Sequence, residues 1–276
     1  MPITRISITN AMTFDQVTTR LSQQRAVDGL IVVGSASADQ MTPASDYDLV
    51  LVLSEMPVPL HTGVTHIDGR FTDLVFHTSM QIEQILDATK PFGFWDWTGR
   101  LVGWLMNGRV VFDRHGMLQL AQTKVQSANW IVPIGDHEAY AAWQSINYNL
   151  AVVRRYLTSD APDYLAAADL RMMLYGPQDL FWNYFQVRKL APDSEKQQII
   201  YLEEHDPQFL AQFKYFLTEQ DRHEKFRRYE ALATTVLAPV GQLWQAGEVV
   251  LNLDAEAVTP KLELNALDFW ESLVQS

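Results

Sequence analysis

The chain has 276 residues, 47% of them hydrophobic and 20% charged, a globular balance that excludes an intrinsically disordered chain. It has no cysteine, which excludes disulfides and thiolate metal sites, and no stretch nears the ~18 consecutive apolar residues of a membrane span. The net charge of −12 argues against a broad nucleic-acid surface, which needs clustered Lys and Arg, and residues 1–10 lack the basic start and apolar stretch of a secretory signal, so a cytoplasmic protein without nucleic-acid or membrane partners is expected.

In chain order, Thr13 followed by Gln16 predicts a capping box for a helix with Phe14, Val17 and Leu21 on one face. Gly29 ends that helix, and 30–33 reads as a short buried strand. The apolar run 49–53 predicts a second strand, left through a turn at Pro57 and Pro59. Residues 71–76 predict a third strand that carries one acid, Asp73. A helix follows over 79–88, with Ile82, Ile85 and Leu86 on its apolar face, and 110–112 reads as a further strand ending in a polar turn over 113–116.

From about Ile134 the texture changes. Tyr140, Trp143, Asn147, Leu150 and Leu157 recur at helical spacing, and 165–190 is long and apolar with a kink or break expected at Gly176-Pro177. Pro207 fits the first turn of another helix, and 222–243 predicts a further one. The tail after Gly247 reads as strand or extended chain, then a short helix. The expected fold class is α+β: an α/β domain with a small mixed sheet over 1–130, then a helical bundle with a C-terminal tail over 131–276.

The segment that carries chemistry is Gly34-Ser35, ten residues, then Asp46-Tyr47-Asp48 at the mouth of a strand. Two residues apart on an extended chain, Asp46 and Asp48 project to the same side. Two such carboxylates repel, and a divalent cation is the usual remedy, with Mg²⁺ preferring oxygen ligands. A Gly-Ser turn lets backbone N–H groups approach phosphate with no Cβ in the way. Asp73, flanked by apolar residues within a strand, completes a three-carboxylate cluster if its strand lies beside the one led by Asp48, and such a cluster could hold two metals.

In these residues the chain resembles the nucleotidyltransferase superfamily of the DNA polymerase β type. That family's signature is a strand ending in Gly-Ser, a spacer of about ten residues, an Asp-x-Asp pair and a third acid on a later strand; Gly34, Ser35, Asp46, Asp48 and Asp73 occupy those places in order. The layout of catalytic domain, helical bundle and late Trp-Gly segment (Trp244 to Gly247) is most similar to the kanamycin-type aminoglycoside nucleotidyltransferases.

The resemblance implies a Mg²⁺-dependent enzyme with a two-metal site on Asp46, Asp48 and Asp73. Gly34, Ser35 and Ser45 would lie at the nucleotide, and a nucleoside monophosphate, AMP first, would pass from a nucleoside triphosphate to the hydroxyl of a small, aminoglycoside-like acceptor. It also leaves open a homodimer, a protein-modifying relative of the toxin–antitoxin kind, and a nucleotide-binding protein that has lost turnover. The chain departs from the family where Ala36-Ser37-Ala38-Asp39 offers no basic residue after the turn, so triphosphate charge falls to groups such as Arg109, Lys124 or Arg154. The family's glutamate base also lacks a match in register, and Glu138 is the nearest candidate.

Other signals read as structural. His61, His66 and His77 match no zinc spacing. Asp68-Gly69 reads as a turn. The aromatic residues over 92–97 and 140–157 read as core or interface packing before ligand contact.

Overall fold

A computed structural model describes residues 12–37, 41–93, 95–190, 194–245, 247–251 and 260–274. Of the residues singled out above, 1–10, Ala38, Asp39 and Phe94 lie outside these, as does 252–259 of the tail. The chain divides into two compact units, Met1–Pro133 and Ile134–Ser276. The architecture is α+β, with the sheet in the first unit and helices in the second.

The first unit holds a mixed sheet of five strands: β1 (Val27–Val33), β2 (Tyr47–Leu53), β3 (Thr62–Ile67), β4 (Arg70–Thr78) and β6 (Arg109–Asp113), in the order β3-β4-β2-β1-β6. β2 and β4 run parallel, while β1 is antiparallel to both β2 and β6. The other strands, β5 (Phe92–Gly93) and β7 (Ile131–Val132), make a separate two-stranded ladder.

Helix α1 (Phe14–Gln23) opens with the Thr13–Gln16 capping box and lays Phe14, Val17 and Leu21 against the sheet face built from Leu30, Val32, Leu49 and Leu51. The opposite face, with Ile31, Val33, Val50 and Val52, is covered by α2 (Ser79–Asp87), α3 (Trp97–Asn107) and α4 (Met117–Gln126). Twelve or so buried apolar side chains on that face, each contributing on the order of 2 kcal/mol, anchor the strands from which the site projects.

Gly29 does not end a helix. It lies inside β1 at a bulge, where a Cβ would come within 2.2 Å of Leu118 Cδ1, so its role is close packing of α4 on the strand. Several elements go beyond the sequence reading, α4 and the β5–β7 ladder among them. β3 is a hairpin partner of β4 through Asp68 and Gly69, both at positive φ, and α3 forms despite two glycines.

The second unit comprises α5 (Asp136–Tyr156), α6 (Pro162–Pro177), α7 (Asn183–Val187), α8 (Glu195–His205), α9 (Pro207–Thr218), α10 (Arg222–Leu237) and α11 (Pro260–Val274). Pro207 takes the first position of α9, behind an Asp206 N-cap, as its fixed φ favours. Helix α10 stops at Leu237 rather than 243, just before Pro239.

At Gly176-Pro177 the helix does not break. Pro177 has no N–H for the α-helical ladder, and the chain widens into a π-helical turn over Gln178–Trp182 before resuming as α7. That turn points Asp179, Leu180 and Phe181 into the core. Among the described residues no helix is long and apolar enough to cross a membrane.

Candidate active site

The site lies at the end of the sheet where β1 finishes and β2 starts. Alternation along β2 sends Tyr47 toward α1, where it stacks on Phe14 at 5.0 Å, while Asp48 shares its side with Val50 and Val52. In the parallel ladder Asp48 stands directly opposite Asp73. Asp46 comes from the loop one step before the strand. The three residues each bring one carboxylate oxygen into a group whose members all lie within 4.8 Å of one another. The convergence expected from sequence is therefore present, and among the described residues it is the group suited to a metal ion.

Electrostatics make that group uncomfortable by itself. Burial, and then the neighbouring charges of Asp46 and Asp73, push the Asp48 carboxyl up to about 6. The donors are all carboxylate oxygens, the set that Mg²⁺ prefers over softer metals, and they are close enough to share cations. These residues fit a divalent cation.

Gly34 shapes the other side. It follows β1 at φ +66°, and a Cβ there would lie 2.7 Å from Asp48 Oδ2, so only glycine allows both this conformation and this approach to the carboxylate. It opens a 3₁₀ turn over Gly34–Ala36 that contains Ser35, and Ser37 closes it by donating its hydroxyl to the Gly34 carbonyl at 2.7 Å. The backbone turn and the acid cluster thus touch directly.

The basic groups separate cleanly. Arg109, opposite Val32 in the β1–β6 ladder, is exposed and reaches the turn, with Nη2 donating to the Ala36 carbonyl at 3.4 Å. Lys124 is occupied elsewhere: Nζ donates to the carbonyls of Leu86 and Ala88 at 2.6 and 2.7 Å, closing the end of α2, and lies over the Trp130 ring. Arg154 belongs to the helical unit and pairs with Glu230.

Arg70 is a residue that sequence reasoning missed. At the start of β4, its Nη1 donates to the carbonyls of Thr42 and Ser45 at 2.7 and 2.8 Å and clamps the loop that delivers Asp46. The Ser45 hydroxyl, expected at the nucleotide, instead accepts from the Thr42 N–H at 2.9 Å and shares a bond with the Thr42 hydroxyl. It shapes the loop that Arg70 holds.

Glu138 likewise has another task, since its carboxylate accepts the Gly135 N–H at 2.9 Å and so reaches back over the start of α5. Asp68 is a turn residue, accepting from the Phe14 N–H and the Tyr47 hydroxyl. His77 is fully buried and stacked with Trp97, and burial lowers its pKa to about 4, so it stays neutral and structural.

No family model matches the chain, and no curated protein matches its sequence. Among solved structures, a nucleotidyltransferase-like protein from Exiguobacterium sibiricum 255-15 is similar at a TM-score of 0.41 and 13% identity, over 81% of this chain and 73% of that one. So loose a likeness assigns no residue a role, and the case rests on the geometry of the acid cluster.

Proposed function

We propose that this chain is a Mg²⁺-dependent nucleotidyltransferase that moves a nucleoside monophosphate, AMP first among them, from a nucleoside triphosphate to a hydroxyl of a small-molecule acceptor. The observation that carries this reading is the convergence of Asp46, Asp48 and Asp73 from two stretches of chain, directly against the Gly34 turn.

In that reading the three aspartates hold divalent cation, which when bound neutralises phosphate charge and lowers the pKa of an attacking hydroxyl. The Gly34-Ser35 turn takes phosphate oxygens close to backbone, where no side chain intervenes. Arg109 offers the fixed positive charge that residues 36–39 lack. Arg70, with the Thr42–Ser45 turn, keeps Asp46 in reach of the other two acids. The acceptor hydroxyl forms the new bond to the α-phosphorus, its proton passes to solvent or phosphate, and pyrophosphate leaves with the bond that breaks. Positioning and charge neutralisation supply most of the acceleration in such transfers.

The test is pyrophosphate release over a panel of nucleoside triphosphates and hydroxyl acceptors, with and without Mg²⁺, beside an Asp46→Asn, Asp48→Asn double variant. Wild type should release pyrophosphate only with the metal, and the variant should be slower by on the order of a thousandfold. Equal rates for the two proteins on every acceptor would sink the proposal.

A further inference from the structure

One row of the sheet crosses four strands on the face that carries the acids. Val33, the last residue of β1 before the Gly34 turn, stands opposite Asp48, Asp48 opposite Asp73, and Asp73 opposite Val64 of the edge strand β3. Two residues away on the same face, Phe71 of β4 stands opposite His66 of β3. The helices α2, α3 and α4 cover Val33, Val50, Val52 and Val75 on this face. Their cover does not extend to Val64, which is 67% exposed, or to Phe71, which is 47% exposed although β4 is an inner strand.

These side chains are out of keeping with a solvent-facing corner. Sheet edges are normally guarded by charged residues, and a threonine would serve either ladder position without presenting a large apolar surface to water. The Phe71 ring also has a fixed neighbour, since His66 meets it edge-on with centroids 6.0 Å apart at 85°. Val64 and Phe71 therefore form an apolar step directly beside Asp73, and His66 closes its outer side.

Position along the row decides what the step receives. In the transferase reading, on which this inference rests, pyrophosphate leaves over the Gly34 turn, at the β1 end of the row. In-line displacement keeps the attacking and leaving oxygens on opposite sides of the α-phosphorus. With the phosphorus over the acids in the middle, the attacking hydroxyl comes from the β4–β3 end. A molecule that presents its hydroxyl from there lays its body on the apolar step.

We propose that Val64, His66 and Phe71 are the floor on which the acceptor lies, and that the acceptor is a hydroxyl compound carrying a planar apolar ring. The ring takes the Val64 and Phe71 side chains out of water, which is how exposed apolar surface contributes to binding.

The test pairs two probes that share a sugar and differ in the presence of a ring, phenyl β-D-glucoside and methyl β-D-glucoside. Each is titrated by calorimetry into the full chain with Mg²⁺ and an α,β-methylene nucleoside triphosphate, which cannot release pyrophosphate. The phenyl glucoside should bind about tenfold more tightly than the methyl one. In Phe71→Thr and Val64→Thr, each a β-branched residue at an exposed position and each checked by circular dichroism, that ratio should fall toward one while Mg²⁺ affinity stays at the wild-type value. Val64→Ile, which keeps the apolar surface, should keep the ratio. Equal affinity of the wild type for the two probes, binding of neither, or an unchanged ratio in both threonine variants overturns the proposal. Binding and transfer are read separately. A ring preference that survives without Mg²⁺-dependent pyrophosphate release from any hydrolysable nucleotide counts against the transfer chemistry and leaves the floor standing.

Discussion

The two units treat buried negative charge in opposite ways. In the helical unit Asp179 is almost wholly enclosed, yet three donors from Ser145, Asn149 and Tyr229 surround it. Burial raises its pKa, while those bonds and the nearby Arg171 pull it back down. In the α/β unit Asp48 is less enclosed, but its charged neighbours, Asp46 and Asp73, push the same way as burial does. A carboxylate with its donors in place is part of the architecture. A cluster whose members only repel one another is unfinished until something positive arrives.

The sharpest way to break this contrast is to delete one acid from each unit. Asp179→Ala should destabilise the helical unit by about 3 kcal/mol, because two buried donors, from Asn149 and Tyr229, and the Ser145 hydroxyl lose their acceptor, whereas Asp46→Ala in cation-free buffer should cost nothing measurable. Urea unfolding of both proteins compares them, and similar losses would erase the distinction.

The Arg70 clamp comes next. Arg70→Gln removes two charge-assisted bonds from the Asp46 loop and should weaken Mg²⁺ binding about tenfold while leaving the fold intact. Calorimetric titration with Mg²⁺ reads this directly, and unchanged affinity would strip Arg70 of its positioning role.

The smallest effect is on pH dependence. Asp48 has its pKa raised from 3.8 to about 6 in the folded, cation-free protein. Near pH 4 and below, folded and unfolded chains both tend to carry that proton, and the difference fades. As pH rises toward 6 the unfolded chain releases it first, so stability falls, and above about 6 the full penalty applies. Because the carboxylate keeps part of its hydration, that penalty is about 1 kcal/mol. Thermal unfolding in EDTA should show Asp48→Asn gaining over wild type at pH 8 but not at pH 4, and Mg²⁺ should stabilise wild type alone at pH 8. Parallel pH profiles for the two proteins would contradict the assignment.

What could be read from the sequence was local in origin. The Thr13–Gln16 box, the β2 and β4 runs and the Asp46-Tyr47-Asp48 alternation each depend on neighbours within a few residues, and each stands in the structure. Asp73 was accessible to the same reasoning because an acid amid apolar strand residues is expensive without a purpose. β3 was hidden because its burial alternates weakly, exposed at Thr62, Val64 and His66, as suits an edge strand. α3 was hidden by Gly99 and Gly103. Gly99 is there because a Cβ would strike the Gly93 carbonyl at 2.0 Å, a demand of tertiary packing that helix propensity does not register.

The task of Arg70 depends on where a hairpin returns the chain, and that of Asp179 on a change of helical register after a proline. Neither leaves a mark at short range. Among the basic residues named beforehand, Arg109 and Lys124 look alike in sequence, and only the fold sends one to the turn and the other to the end of a helix.

The two-residue turn at Asp68 and Gly69 sets the phase of β3 against β4, and the parallel ladder with β2 sets which face of β4 meets the acid pair. Side chains on a strand alternate faces, so a one-residue slip of β4 against β2 would hand Asp73 to the surface beneath α1 and leave a threonine or a leucine opposite Asp48. The Asp68 carboxylate also ties the first N–H of α1 and the Tyr47 hydroxyl to that corner. The acid cluster thus depends on how one central pair of strands is phased, and the hairpin tip holds that corner through side-chain bonds.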